Sequence, residues 1–238
     1  MQRAGRRSVL TRETILEAAM GLADQSGLGA VSMRAVASRL GVTPMALYSH
    51  VPDKEAMLDG LVERLLAELR PAKQGAEWRD RLRHLASLTR AVAQRHQAVF
   101  PLLLQRPVVT TASLRVVEGI FAALEDAGVP DPDIPRLERL VSTFVLGFAT
   151  SEAGGRFGPG SVPTADRRRN APPTELPLHD RLAGVLDLPV DWDAEFDSDI
   201  ENLIRLVESL ASPPEERGEH RGDHRHGDHQ ANSRIVRP

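Results

Sequence analysis

Apolar residues recur at three- and four-residue spacing over most of the chain. From Thr11 they fall at Ile15, Ala18, Ala19, Leu22 and Ala23, one face of a helix. Thr11 suits an N-cap, because a hydroxyl there accepts from an otherwise free backbone N–H, and Glu13 suits the positive end of the helix dipole. Gly27 and Gly29 end this helix. Ser32 caps a second, which carries Val36, Ala37 and Leu40 and stops at Gly41. Thr43 followed by Pro44 marks a third start, since proline at the first helical position gives up an N–H that has no partner anyway. That short helix ends near Val51-Pro52. Asp53 opens a fourth, whose stripe of Leu58, Leu61, Val62, Leu65, Leu66 and Leu69 runs to Pro71.

A second group of helices follows. Trp78 to Arg95 reads as one helix, Phe100 to Gln105 as a short turn, Thr111 to Ala127 as a helix closed by Gly128, and Pro135 to Glu152 as a helix closed by Gly154-Gly155. A short helix is expected over 182–186. Ser198 and Glu201 have capping-box spacing for a last helix carrying Ile200, Leu203, Ile204, Val207 and Leu210, which Pro213-Pro214 breaks. No strand alternation and no long repeat is visible, so the fold class is all-α. Residues 156–177, rich in Pro, Gly and Arg, read as a long mobile loop. Residues 212–238 offer little to bury and are expected to be a disordered, His-rich tail.

Composition narrows the class. The 238 residues are 41% hydrophobic and 26% charged, with no cysteine, which removes disulfide and thiolate chemistry and suits a cytoplasm. No run of about 18 apolar residues predicts a membrane span, and the basic N-terminus lacks the apolar core of a secretory signal. The net charge of −3 conceals an asymmetry: residues 1–54 carry +3 and the remainder −6. A basic end on an acidic body points that end at a polyanion.

Residues 32–51, SMRAVASRLGVTPMALYSHV, supply the form such an end needs. One helix, a tight turn at Gly41 and a second short helix make a helix-turn-helix, whose second helix enters the major groove by its N-terminus. Ala37, Val42 and Leu47 are small or medium apolar residues, as close helix packing requires. Thr43, Met45, Ala46, Tyr48, Ser49 and His50 are left for solvent or DNA, and the Tyr-Ser-His run suits hydrogen bonds to phosphates and base edges.

The ordered features Ile15, Ala18-Ala19, Leu22, Gly27, Ser32-Met33-Arg34, Val36-Ala37, Leu40-Gly41-Val42, Ala46-Leu47-Tyr48, His50-Val51 and Lys54 resemble the N-terminal domain of the TetR family of bacterial repressors, and ALYSHV resembles its tetracycline-repressor branch. The resemblance implies a three-helix DNA-binding domain over 1–54, with a basic arm at Arg3, Arg6 and Arg7. Behind it, over 55–211, it implies a helical effector-binding and dimerisation domain. It places Ser32 and Arg34 at the DNA, with Arg34 reading bases. Pro44 and Met45 would touch bases, Tyr48, His50 and Lys54 would grip phosphates, and Ser49, which stands where the family has a bulky aromatic, implies a different operator. The partners so implied are a palindromic double-stranded operator, a second copy of the chain and a small-molecule effector.

Trp78-Arg79-Asp80, the Leu102–Pro107 segment LLLQRP and the Phe144–Phe148 segment FVLGF are similar to the tetracycline-repressor C-terminal domain, which implies dimer helices at about 135–155 and 197–211. That branch's metal-ligating histidine is replaced by Leu102, its drug-facing asparagine and phenylalanine by Leu85 and Thr89, and a histidine of its fourth helix by Arg70. The expectation is therefore no metal, no cofactor and a more apolar pocket, with candidate lining residues Leu66, Arg70, Leu85, Thr89, Leu102, Leu103, Phe121, Phe144 and Ser151. His220, His224, His226 and His229, interleaved with Asp223 and Asp228, raise the alternative of a metal-responsive regulator; a non-specific architectural DNA binder is a second. No phosphate loop, G-x-S-x-G elbow or H-E-x-x-H is present, so the chain does not read as an enzyme; His84 and His96 read as surface or pocket residues.

Overall fold

The computed structural model describes residues 9–70, 75–106, 110–157, 177–186 and 188–211; the basic arm, most of the 156–177 segment and the His-rich tail lie outside these. Among the described residues all regular structure is helical: α1 (Arg12–Ser26), α2 (Met33–Leu40), α3 (Pro44–Tyr48), α4 (Lys54–Glu68), α5 (Trp78–Arg95), α6 (Leu102–Gln105), α7 (Thr111–Ala127), α8 (Ile134–Ala153), α9 (Pro177–Leu186) and α10 (Trp192–Leu210).

The helix starts follow from side-chain caps. Thr11 accepts from the Thr14 N–H while the Thr14 hydroxyl oxygen accepts from the Thr11 N–H, closing a reciprocal box. Ser32 accepts from Ala35 N–H at 3.2 Å, and Asp53 from Ala56 N–H at 2.7 Å. Thr43 precedes α3 as expected but makes no capping bond, so proline alone marks that start. The expected capping box at Ser198 and Glu201 is not where the last helix begins. Asp191 caps it seven residues earlier, accepting from Asp193 and Ala194 N–H at 3.1 Å each. The extra turns bury Phe196 and stack Trp192 on Phe157, with ring centroids 4.1 Å apart. That aromatic burial outweighs a cap further along the chain.

In the N-terminal unit, α1, α2 and α3 close over Ile15, Ala19, Val36, Ala37, Leu47 and Val51, all essentially inaccessible to solvent. Helix α4 lies along α1 so closely that a methyl on Gly60 would come within 2.6 Å of Leu16 Cδ2. Behind it, α5 packs against both α7 and α8, with α10 across them. Helix α4 belongs to both layers. It packs against α1 on one side, and its later residues Leu61 and Leu65 are buried in the same continuous core that holds Leu85, Ile120 and Val145.

Two polar clasps fasten the layers. His96, buried at the end of α5, lies with Nδ1 2.9 Å from Asp24 of α1 and Nε2 3.3 Å from Glu68 of α4. It is thus an interlayer tie rather than a surface or pocket group. Arg106, just after α6, pairs with Glu55 and, at 2.6 Å, with Asp59, both on the first turns of α4.

Candidate nucleic-acid interface and cavity

The reading head is built by α2, α3 and the turn between them. Gly41 takes the left-handed conformation, φ 68° and ψ 31°, that the turn requires. Val42 N–H then closes on Ala37 O at 3.0 Å. Burying Leu47 against Val36 and Ala37 fixes the rotation of α3, and the opposite face is left in solvent. Ser32, Arg34, Thr43, Pro44, Met45, Tyr48, Ser49, His50 and Lys54 are exposed and Ala46 is half-buried. Met45, 77% exposed, is an apolar side chain with no packing role in the monomer. The Ser49 hydroxyl donates to Ala46 O at 3.1 Å, so its proton is engaged by its own helix. Arg34, His50 and Lys54 form no ion pair with another described residue. Cations held in solvent on this face are suited to phosphate oxygens.

A cavity of about 260 Å³ lies between α4, α5, α6, α7 and α8. Helix α4 contributes Val62 and Leu66 and its C-cap Leu69, α5 contributes Leu82, Leu85, Ala86 and Thr89, and α7 contributes Ser113, Val116, Val117 and Ile120. Helix α8 contributes Glu138, Val141, Ser142, Val145 and Leu146, and Leu103 and Arg106 complete the wall. Of the residues expected at a pocket, Leu66, Leu85, Thr89 and Leu103 come together here. Leu102 is buried in the core instead, Phe121 and Ser151 are half-buried elsewhere on α7 and α8, and Phe144 stands 6.2 Å from Phe148 in an aromatic row. Arg70 lines a separate charged groove with Arg12, Glu63, Arg64 and Arg95. Sequence reasoning missed Glu138, Ser142 and Arg106. The first two had a signal: positions 138, 141, 142 and 145 share one face of α8, so Glu138 and Ser142 interrupt a buried apolar row.

At the far end of α8 from Glu138, Arg90 is buried and makes a two-pronged pair with Glu152, Nε to Oε2 at 2.8 Å and Nη2 to Oε1 at 2.5 Å. Asp193 of α10 joins it at 2.7 Å. The guanidinium also lies 5.0 Å from the Phe196 ring centroid. The hydrogen bonds from Arg90 hold the Glu152 carboxyl below the usual glutamate range, against a smaller opposing effect of burial.

Known proteins share this arrangement. Residues 15–61 match the model of bacterial regulatory proteins of the tetR family, and residues 70–198 match the tetracycline repressor-like C-terminal domain. An HTH-type transcriptional regulator of Saccharopolyspora erythraea is 30% identical over 202 residues, 82% of this chain and 84% of its own. The HTH-type transcriptional repressor DrrR1 of Streptomyces coeruleorubidus is 31% identical over 153 residues, 62% of this chain and 56% of that protein. The crystal structure of the Streptomyces coelicolor protein ActR in complex with actinorhodin superposes with a TM-score of 0.72 at 25% identity, covering 86% of this chain and 98% of ActR. An exposed helix-turn-helix face, a largely apolar cavity behind it and two matching domain models together place the chain in the TetR family of DNA-binding transcriptional regulators.

Proposed function

We propose that this protein is a repressor that holds a palindromic operator as a homodimer in the cytoplasm and lets go when a small molecule fills the cavity behind its reading heads. One observation carries this reading. Helix α4 starts beside the DNA face at Lys54 and, within four turns, forms a wall of the cavity through Val62, Leu66 and Leu69. A ligand cannot change the packing of that wall without loading the helix that supports the head. DrrR1 is named a repressor and ActR was crystallised with a small molecule, which supports the same reading.

In this mechanism Arg34, Pro44 and Met45 meet base edges in the major groove. Tyr48, His50 and Lys54 meet phosphates, and Ser32, Thr43, Ala46 and Ser49 border the same face. Two heads are joined through α8 and α10, where Leu140 and Leu206 are each 39% exposed with no partner within the monomer. Ligand between α4 and α8 favours the α4 placement that separates the heads wrongly for the operator, a shift in population between two states. Binding fragments across the source genome and footprinting the strongest should yield one palindrome with half-sites about one helical turn apart. Its affinity should fall when the inducing compound is added. A protein that bound all fragments alike at fixed salt would be an architectural binder instead.

A further inference from the structure

The cavity wall contains two charged side chains among the described residues, Arg106 and Glu138. They are in unequal positions. Arg106 is already met by two carboxylates, Glu55 and Asp59. Glu138 makes no ion pair or hydrogen bond to another described residue. The local balance is therefore negative, and the unmatched group is an acceptor.

The hydroxyls of the wall point the same way. Thr89 donates to Leu85 O at 2.7 Å, Ser113 to Thr110 O at 2.8 Å and Ser142 to Arg139 O at 3.4 Å. Each proton is committed to a backbone carbonyl, while each oxygen keeps accepting capacity. The cavity thus offers aliphatic surface, hydroxyl acceptors and a lone carboxylate, and the cation among its described lining residues, Arg106, already faces two carboxylates. An anion entering it would face Glu138 and would have to compete with Glu55 and Asp59 for Arg106. A protonated amine would meet Glu138 and the accepting hydroxyl oxygens, while the charge of Arg106 is offset by Glu55 and Asp59.

We infer that the effector is a largely apolar molecule bearing a protonated amine, which Glu138 receives. This rests on the cavity being the effector site. Three probes with one skeleton test it: 1-naphthylmethylammonium, 1-naphthalenemethanol and 1-naphthoate, titrated by calorimetry into the full chain at neutral pH. The ammonium should bind about tenfold or more tightly than the alcohol, an advantage of about 1.4 kcal/mol, and the carboxylate should bind worst. Glu138→Gln, nearly isosteric, should bring the ammonium to the affinity of the alcohol and leave the alcohol unchanged. Equal binding of the three by the native chain, no binding of the ammonium, or a preference that survives Glu138→Gln overturns the inference. Val117→Trp, which fills the cavity, separates the two levels. If it abolishes binding of all probes while the native chain shows no charge preference, the cavity stands and the amine falls. If it changes nothing, the cavity is not the site and both fall. Thermal melting of both variants confirms that they fold.

Discussion

Arg34 and Lys54 are both exposed cations, yet the mechanism gives them different tasks, and substitution should tell them apart. Arg34, on the first turn of α2, is assigned to a base edge, so Arg34→Ala should cost about 1–3 kcal/mol and relax the preference at one operator position. Lys54 is assigned to a phosphate, so Lys54→Ala should weaken all sequences about equally and lower the salt slope by about one. Competition with a library of single-base operator variants at several salt concentrations distinguishes these patterns. A different kind of charge sits at Arg90–Glu152, where the side chains are 10% and 18% exposed. Because the folded Glu152 pKa is depressed, the pair's stabilisation is complete above the unfolded glutamate value of about 4.3 and is lost as pH falls through the folded value. Glu152→Gln should therefore cost on the order of 2 kcal/mol at pH 7. The gap to the native chain should shrink between pH 5 and pH 3 in urea titrations. A gap that stayed constant through that window would mean the carboxylate charge is not what matters.

At the scale of elements, the turn between α2 and α3 is the most exacting piece of backbone. A Cβ on Gly41 would meet no atom within 4 Å, so Gly41→Ala tests conformation without steric clash. The positive φ should cost about 1–2 kcal/mol, and Gly41→Asn should cost less, because asparagine tolerates that region. Chemical denaturation of the three proteins gives the order; a loss in Gly41→Ala equal to that in Gly41→Asn would assign the turn another constraint. Local signals of this kind made most of the fold legible. Thr11, Ser32 and Asp53 cap where their hydroxyls and carboxylate sit beside apolar periodicity, because a cap is a contact across three residues. The start of α10 was not legible, since Asp191 wins there only with the help of Phe157, more than thirty residues away. The cavity was half legible for the same reason. Leu85 and Thr89 lie on one face of a long helix, whereas Arg106 is placed by its partners on α4 and Leu102 turns into the core beside Leu103.

For the whole molecule, the question is how a filled cavity is felt at the DNA. Arg106 is the most direct link, since it lines the cavity and also pairs with Glu55 and Asp59 at the base of α4. His96 fastens the other side of the head through Asp24 and Glu68, away from the cavity wall. In the proposed mechanism a ligand that crowds Arg106 would displace the first turns of α4, while His96, paired with Asp24 and Glu68, would hold the C-terminal ends of α1 and α4, so that α4 would tilt rather than translate. The two contacts should then respond differently to removal. Arg106→Met keeps the apolar stem against the cavity and removes the charge; both operator and ligand should still bind, but the ligand should change operator affinity far less. The coupling, typically about 1–3 kcal/mol in such systems, should fall towards zero. His96→Gln removes the clasp and leaves the cavity wall intact. Its effect should appear mainly as lower stability, with coupling retained. The measurement is a thermodynamic square for each variant: operator affinity without and with saturating ligand, and ligand affinity without and with operator. If Arg106→Met kept full coupling while His96→Gln abolished it, the path to the head would run through α5 and α1, and Arg106 would be only a surface ion pair.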